Sequence, residues 1–351
     1  MAARLARGFT LLLGVLVVGF ALLWAFAPPG AEWIERHYSR GFYPWLASGL
    51  VPLAGAVPFS LAALVVVLVP AGWAVWSMGR LRRRRLLEWL GGSALLVATV
   101  YALFVLVWGA NYGRLSIEAQ MGLAAGAQNP QELGRLVERL GTLIARSASA
   151  KRDSGAARAA LRASLVETVR GLTGVAPTLP DWPKTLPPGS LIRLGNASGV
   201  VSPITLEAHL DGALWEPFEL AIGAHELAHI AGYAREADAD LVAALAGLAA
   251  HDPYARYATA LKLWAEAARQ LPPERYAAAL RALPGAARAD LEASRAVFVR
   301  YRLPEWVRNL QTQLYDRYLT SQGVGAGVGD YSRTIGLLLD AVRQGRVRLE
   351  P

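Results

Sequence analysis

The chain has no cysteine. Disulfides and thiolate metal ligands are therefore excluded, and the redox compartment cannot be read from thiol usage. Histidine is scarce, with five in 351 residues. Acidic residues are nearly absent from the first 110 positions, which hold only Glu32, Glu35 and Glu88. No internal repeat is visible. What fills the first third instead is apolar sequence.

Three apolar runs predict a membrane domain over residues 1–110. The first, about 8–27, is long enough to span a bilayer and follows Arg4 and Arg7. Pro28 directly after Ala27 argues for an uncleaved anchor over a signal peptide. The stretch from Phe42 to Met78 is too long for one helix and carries Pro44, Pro52 and Pro58. It divides into an interfacial segment near 42–53 and a second span of about 57–78. A third span covers about 87–110. Arg80 to Arg85 holds five arginines in six residues, and the first loop is neutral. The positive-inside rule then puts the N-terminus and the arginine loop in the cytoplasm and everything after Asn111 outside it. Trp24, Trp73, Trp76, Trp89 and Trp108 lie near span ends, as interfacial anchors do.

The formal net charge of +9 does not imply nucleic-acid binding. Residues 111–351 hold 27 basic and 24 acidic side chains, so most of the excess sits beside the spans. The partner it implies is the lipid bilayer. A transport role is disfavoured, because the spans carry almost no charge of their own.

Residues 111–351 read as a mostly helical domain. Gln131–Ala148 and Ala156–Leu172 carry apolar residues at helical spacing, and the pattern from Asp240 to Ala268 is helical throughout. Further helices fit Glu274–Leu283, Ala286–Tyr301 and Glu305–Thr320, with a last one ending near Val342. The prolines from 177 to 203 forbid long helices, and Ser190–Leu194 and Ser198–Ser202 are short strand candidates. Such strands could pair with an extended peptide or form a purely structural hairpin. The glycine-rich run 323–329 lacks a preceding strand and a following Lys–Ser/Thr, so it reads as a hinge and not a phosphate loop.

The chemistry concentrates in Gly223–Asp240, which opens with His225-Glu226-Leu-Ala-His229. Residues four apart on a helix share a face, so both imidazoles can address one ion. Glu226 lies about 100° round the helix, badly placed as a ligand to that ion but well placed as a general base. Only about 0.003 chance occurrences of the pattern are expected at this composition. A third ligand is needed, with one position left open. On a straight helix Glu236 would lie about 16 Å along the axis from His225. Gly232 can turn the chain back. Glu236 is then the leading third ligand, with Asp238 and Asp240 as alternatives, and Asp240 is also placed to hold a ligating histidine. His209 and His251 are isolated and are read as ordinary polar residues.

The run Glu236–Asp240 resembles the third-ligand helix of gluzincin peptidases, in which the Glu binds zinc and the Asp orients a His. The chain as a whole resembles an uncharacterised family of bacterial membrane proteins with three N-terminal spans and an HExxH domain. That likeness rests on Trp108-Gly-Ala-Asn111-Tyr112-Gly-Arg114, on His225–His229 with Ala234-Arg-Glu236, and on Leu314-Tyr315-Asp-Arg-Tyr318 with Tyr331-Ser-Arg333. It implies a multi-pass protein of the bacterial inner membrane whose extracytoplasmic part has a zincin-like α+β fold. His225, His229 and Glu236 would hold Zn²⁺, Glu226 would act as base, and Tyr331 and Arg333 are candidate oxyanion donors. The substrate would be a peptide or protein. A non-catalytic scaffold with a structural or inactive metal site is the alternative.

Overall fold

The computed structural model describes residues 2–124, 129–188, 197–301, 304–321, 333–347 and 349. They are mostly helical, with one three-stranded sheet. The chain forms two compact units: Met1–Arg114 with Ser202–Glu207, and Leu115–Val201 with Ala208–Pro351.

The first unit contains α1 (Ala2–Phe26), α2 (Tyr43–Gly55), α3 (Leu61–Arg82) and α4 (Leu86–Val107). Among the described residues two helices, α3 and α4, are long and apolar enough to cross a membrane. The first expected span falls on α1, whose apolar stretch Leu12–Phe26 is shorter than those two. Helix α3 starts at Leu61, not near 57, because Pro58 breaks the chain and Ser60 caps the helix, its Oγ accepting from Ala63 N–H at 3.0 Å. The Glu207 carboxylate completes that terminus, receiving Leu61 N–H at 3.1 Å and Ala62 N–H at 2.7 Å. Trp73 and Trp89 bridge α3 and α4, donating to Ser93 and Ser77 at 3.1 and 3.0 Å. Trp108 is buried, with ring contacts to Phe104 and Tyr112. Glu88 pairs with Arg80 and Arg85, closing the arginine turn.

The segment expected as a loop, Ile34–Phe42, is a π-helix that runs into α2. A buried ion pair holds it. Arg114 Nε and Nη2 each lie 2.9 Å from the two Glu35 oxygens, and Arg40 adds a contact of 2.7 Å. Burial pushes the Glu35 pKa up, but the two guanidiniums outweigh it and hold it below the usual carboxylate range. Ser39 donates to Asn111 Oδ1 at 2.8 Å. Gly113 leaves room for Ile34, since a Cβ there would meet its Cδ1 at 2.4 Å. The Trp108–Arg114 motif thus ties the π-helix to the end of α4.

The second unit contains α5 (Ile117–Met121), α6 (Pro130–Ser147), α7 (Ser154–Thr173), α8 (Glu216–Ile230), α9 (Glu236–Ala249), α10 (Pro253–Ala268), α11 (Pro273–Ala282), α12 (Gly285–Arg300), α13 (Glu305–Ser321) and α14 (Arg333–Arg343). The apolar stripes behave as their spacing predicts: Leu136, Leu140 and Ile144 of α6, and Leu161, Leu165 and Val169 of α7, are buried. Asp240–Ala268 is not one helical stretch. Asp252 caps a new helix by accepting from Ala255 N–H at 2.8 Å, and Pro253 occupies its first turn.

The sheet has the order β1–β3–β2, with β1 Lys184–Leu186, β2 Gly199–Ser202 and β3 Glu207–Asp211. β1 and β3 are parallel, with Lys184 opposite His209 and Leu186 opposite Asp211. The strand expected at Ser190–Leu194 lies outside the described residues, as do the glycine-rich run and Tyr331.

Candidate metal site

Helix α8 is apolar on nearly every side, and its residues from Leu220 to Ile230 are all buried. Such a helix has to sit inside its domain. Gly223 gives one side a flat surface on which Trp182 lies; a Cβ there would come within 2.2 Å of the indole. Trp182 is fixed in turn by Glu219, which accepts from its Nε1–H at 2.7 Å.

The helix ends where the sequence requires. Gly232 has φ of +92°, a left-handed conformation that favours glycine. Gly232 N–H donates to His229 O at 2.9 Å and Tyr233 N–H to Ala228 O at 3.2 Å, the two bonds of a Schellman motif. Arg235 is extended, and α9 begins at Glu236. The reversal carries Glu236 back over the two histidines.

His225 Nε2 and His229 Nε2 lie 3.2 and 3.4 Å from the same atom, Glu236 Oε2. One ligand atom from each of these residues falls within 4.8 Å of the others, and all three residues are buried. Ligands about 2.1 Å from a tetrahedral centre stand about 3.4 Å apart, so the spacing fits a single ion. The other ring nitrogens are occupied as such a site needs. His229 Nδ1–H donates to Tyr233 O at 2.6 Å, which leaves Nε2 bare. His225 Nδ1 is 2.8 Å from Asp240 Oδ1, a close charge contact set off the line of an aligned hydrogen bond. The buried cluster can therefore hold a metal ion. Glu236 is the carboxylate that completes the cluster. Asp238 belongs to neither group and faces Arg235 at 3.9 Å. Asp240 serves His225.

Electrostatics separate the carboxylates. Burial tends to raise the Glu236 pKa, but the two imidazoles overcome it and hold Glu236 well below the usual range. Burial pulls the His225 pKa down, yet Asp240, Glu236 and Glu226 together carry it well above its ordinary value. Glu226 behaves oppositely: burial dominates, and its pKa is pushed up to about 7 despite both histidines. Its Oε2 is buried without a hydrogen-bond partner. A carboxyl with that proton affinity at neutral pH, beside the donor set, has the properties of a general base. Strand β2 runs against it, for a Cβ on Gly199 would fall 2.3 Å from Glu226 Oε1.

Arg333 is exposed and its guanidinium pairs with Glu118 of α5. It is the neighbouring Thr334 that reaches the cluster, donating to Asp240 Oδ2 at 3.2 Å. Sequence reasoning missed Thr334, Lys262, Gly199 and Trp182. All four come from distant segments, and no periodicity marks them. His209 is buried on β3 and His251 is exposed; neither belongs to the donor cluster.

A family model described as "Protein of unknown function (DUF3810)" matches residues 38–339. No curated protein and no solved structure matches the chain. The matched region runs from the π-helix into α14 and contains every donor of the cluster. The chain belongs to the DUF3810 family.

Proposed function

We propose that this chain is a membrane-anchored zinc metallopeptidase. The observation that carries the reading is the convergence of His225 Nε2, His229 Nε2 and Glu236 Oε2 with Glu226 beside them. Those three residues would hold a zinc ion, which would supply Lewis acidity at the site. Glu226 then takes a proton from water and passes it to the leaving amine. Its raised pKa suits both halves of that exchange. β2 is an edge strand beside Glu226, so an extended peptide can pair with it through main-chain hydrogen bonds.

Three spans, with α1 as the first, make this a multi-pass protein of the bacterial inner membrane. The charge bias of Arg4, Arg7 and Arg80–Arg85 puts the second unit outside the cytoplasm.

One observation favours a second reading, a non-catalytic protein with a structural metal. His225, Glu226, His229 and Glu236 are all 9% exposed or less. The test is Glu226→Gln, assayed on a fluorogenic peptide library with metal content measured alongside. The peptidase reading expects hydrolysis to fall by about 10³-fold or more with the metal retained. Undiminished hydrolysis rejects Glu226 as the base. A zinc-loaded wild type that cleaves no peptide leaves the structural reading.

A further inference from the structure

Asp240 is gripped from three helices. Its Oδ1 lies 2.8 Å from His225 Nδ1 of α8 and 2.9 Å from Lys262 Nζ of α10. Its Oδ2 receives the Thr334 hydroxyl of α14 at 3.2 Å. Lys262 Nζ is also 2.8 Å from Glu266 Oε1, one turn along its own helix. Lys262 is mostly withdrawn from water, with 18% of its side chain exposed, and Asp240 more so, with 8%. Burying an ammonium is costly unless charge-assisted contacts offset the loss of water. The contact made here lands on the one carboxylate oxygen that also faces His225.

The consequence is geometric. A carboxylate held at one oxygen can still turn about its Cβ–Cγ bond. With Lys262 on Oδ1 and Thr334 on Oδ2, that rotation is blocked. Oδ1 stays opposite His225 Nδ1, and the ring keeps Nε2 directed at Glu236 Oε2. Partners of a histidine's second nitrogen tune metal affinity by orienting the ring. Lys262 and Thr334 act one step further out, on the partner itself.

We infer that Lys262 and Thr334 are positioning residues of the metal site, fixing His225 through Asp240 and so setting how tightly the cluster holds a divalent transition-metal ion. This rests on the metal-site reading above. It adds the helices α10 and α14, which carry no donor, to the machinery that shapes the site.

The experiment is zinc affinity by competition with a chromogenic chelator. It uses the full chain in detergent, stripped of metal, with the thermal midpoint of each metal-free variant recorded. Lys262→Met weakens zinc binding about tenfold, and Thr334→Val, which removes one hydroxyl, about threefold. Lys262→Arg keeps the charge and recovers most of the loss. In an Asp240→Ala background Lys262→Met changes affinity by less than about twofold, because its route to the site is gone. Wild-type affinity in both Lys262→Met and Thr334→Val overturns the inference. So does an equal loss from Lys262→Met with or without Asp240, which would mark a merely structural ion pair. If Lys262→Met does not fold, Thr334→Val carries the decision alone. A wild type that binds no zinc fails differently: it removes the metal-site reading itself.

Discussion

Replacing Gly223 by alanine puts one methyl group into the surface between Trp182 and the helix that carries His225. The added carbon would lie 2.2, 2.8 and 3.0 Å from three atoms of the indole. Carbon atoms pack at about 3.5 Å or more, so the nearest contact is short by about 1.3 Å. Trp182 cannot yield cheaply. Its Nε1–H donates to Glu219, and Arg158 stacks on its ring 5.7 Å from the centroid while pairing with Glu219 at 3.3 Å. Either the indole swings out and forfeits that hydrogen bond, or α8 recoils. Overpacking costs about 1–3 kcal/mol, and a lost hydrogen bond adds about 1 kcal/mol. At about 2–4 °C per kcal/mol for a unit of this size, the apparent thermal midpoint should fall by roughly 4–16 °C. The assay is thermal unfolding of the full chain in detergent, followed by tryptophan fluorescence. In a Trp182→Ala background the same glycine substitution should cost less than about 1 kcal/mol, because the obstacle is gone. A midpoint within about 1 °C of wild type would refute the reasoning, as would an equal cost in both backgrounds.

Asp290 predicts an acid-sensitive anchor. Its carboxylate accepts from Arg152 at 3.0 and 2.6 Å, from Trp215 Nε1–H at 2.9 Å, and from the Tyr257 hydroxyl. Burial raises its pKa, but these donors outweigh that and lower it below 3.8. A depressed folded pKa adds stability that is fully present above the unfolded value and is lost as pH falls through the folded one. Asp290→Ala should therefore cost about 1–2 kcal/mol at neutral pH, chiefly by stranding the buried Tyr257 hydroxyl, since Arg152 and Trp215 are partly exposed to water. In acid titrations followed by circular dichroism its deficit should stay constant down to about pH 5 and shrink below about pH 4; a deficit unchanged at pH 3 would contradict this. Gly232→Ala forces an alanine into φ of +92° and should cost about 1–3 kcal/mol while also weakening zinc binding, because the turn aims Glu236. Chelator competition checks it, and unchanged affinity would separate the turn from the site.

Much of the metal cluster could be read from the sequence because its geometry is local. The four-residue spacing of His225 and His229 fixes a shared helix face, and Gly232 supplies the reversal that Glu236 needs. The same reversal made Glu236 the leading third ligand over Asp238 and Asp240, and Glu236 is the one the structure brings beside the two histidines. The strands were poorly legible. Lys184–Leu186 is only three residues long and lies between prolines, while Glu207–Asp211 alternates polar and apolar residues, a strand signal that the sequence reading passed over. The break at Asp252–Pro253 did carry a signal, a capping aspartate before a first-turn proline, that the alanine-rich helical pattern hid. Lys262 and Thr334 were beyond reach: they meet Asp240 across 22 and 94 residues of chain.

Metal content decides the central claim. The full chain is purified in detergent, reconstituted with zinc, desalted and measured by elemental analysis, with His229→Ala, Glu236→Ala and Asp238→Ala in parallel. A three-donor site predicts about one zinc per chain in the wild type and in Asp238→Ala, and none retained by His229→Ala or Glu236→Ala. A wild type without zinc after reconstitution, or zinc kept by both donor variants, would contradict it.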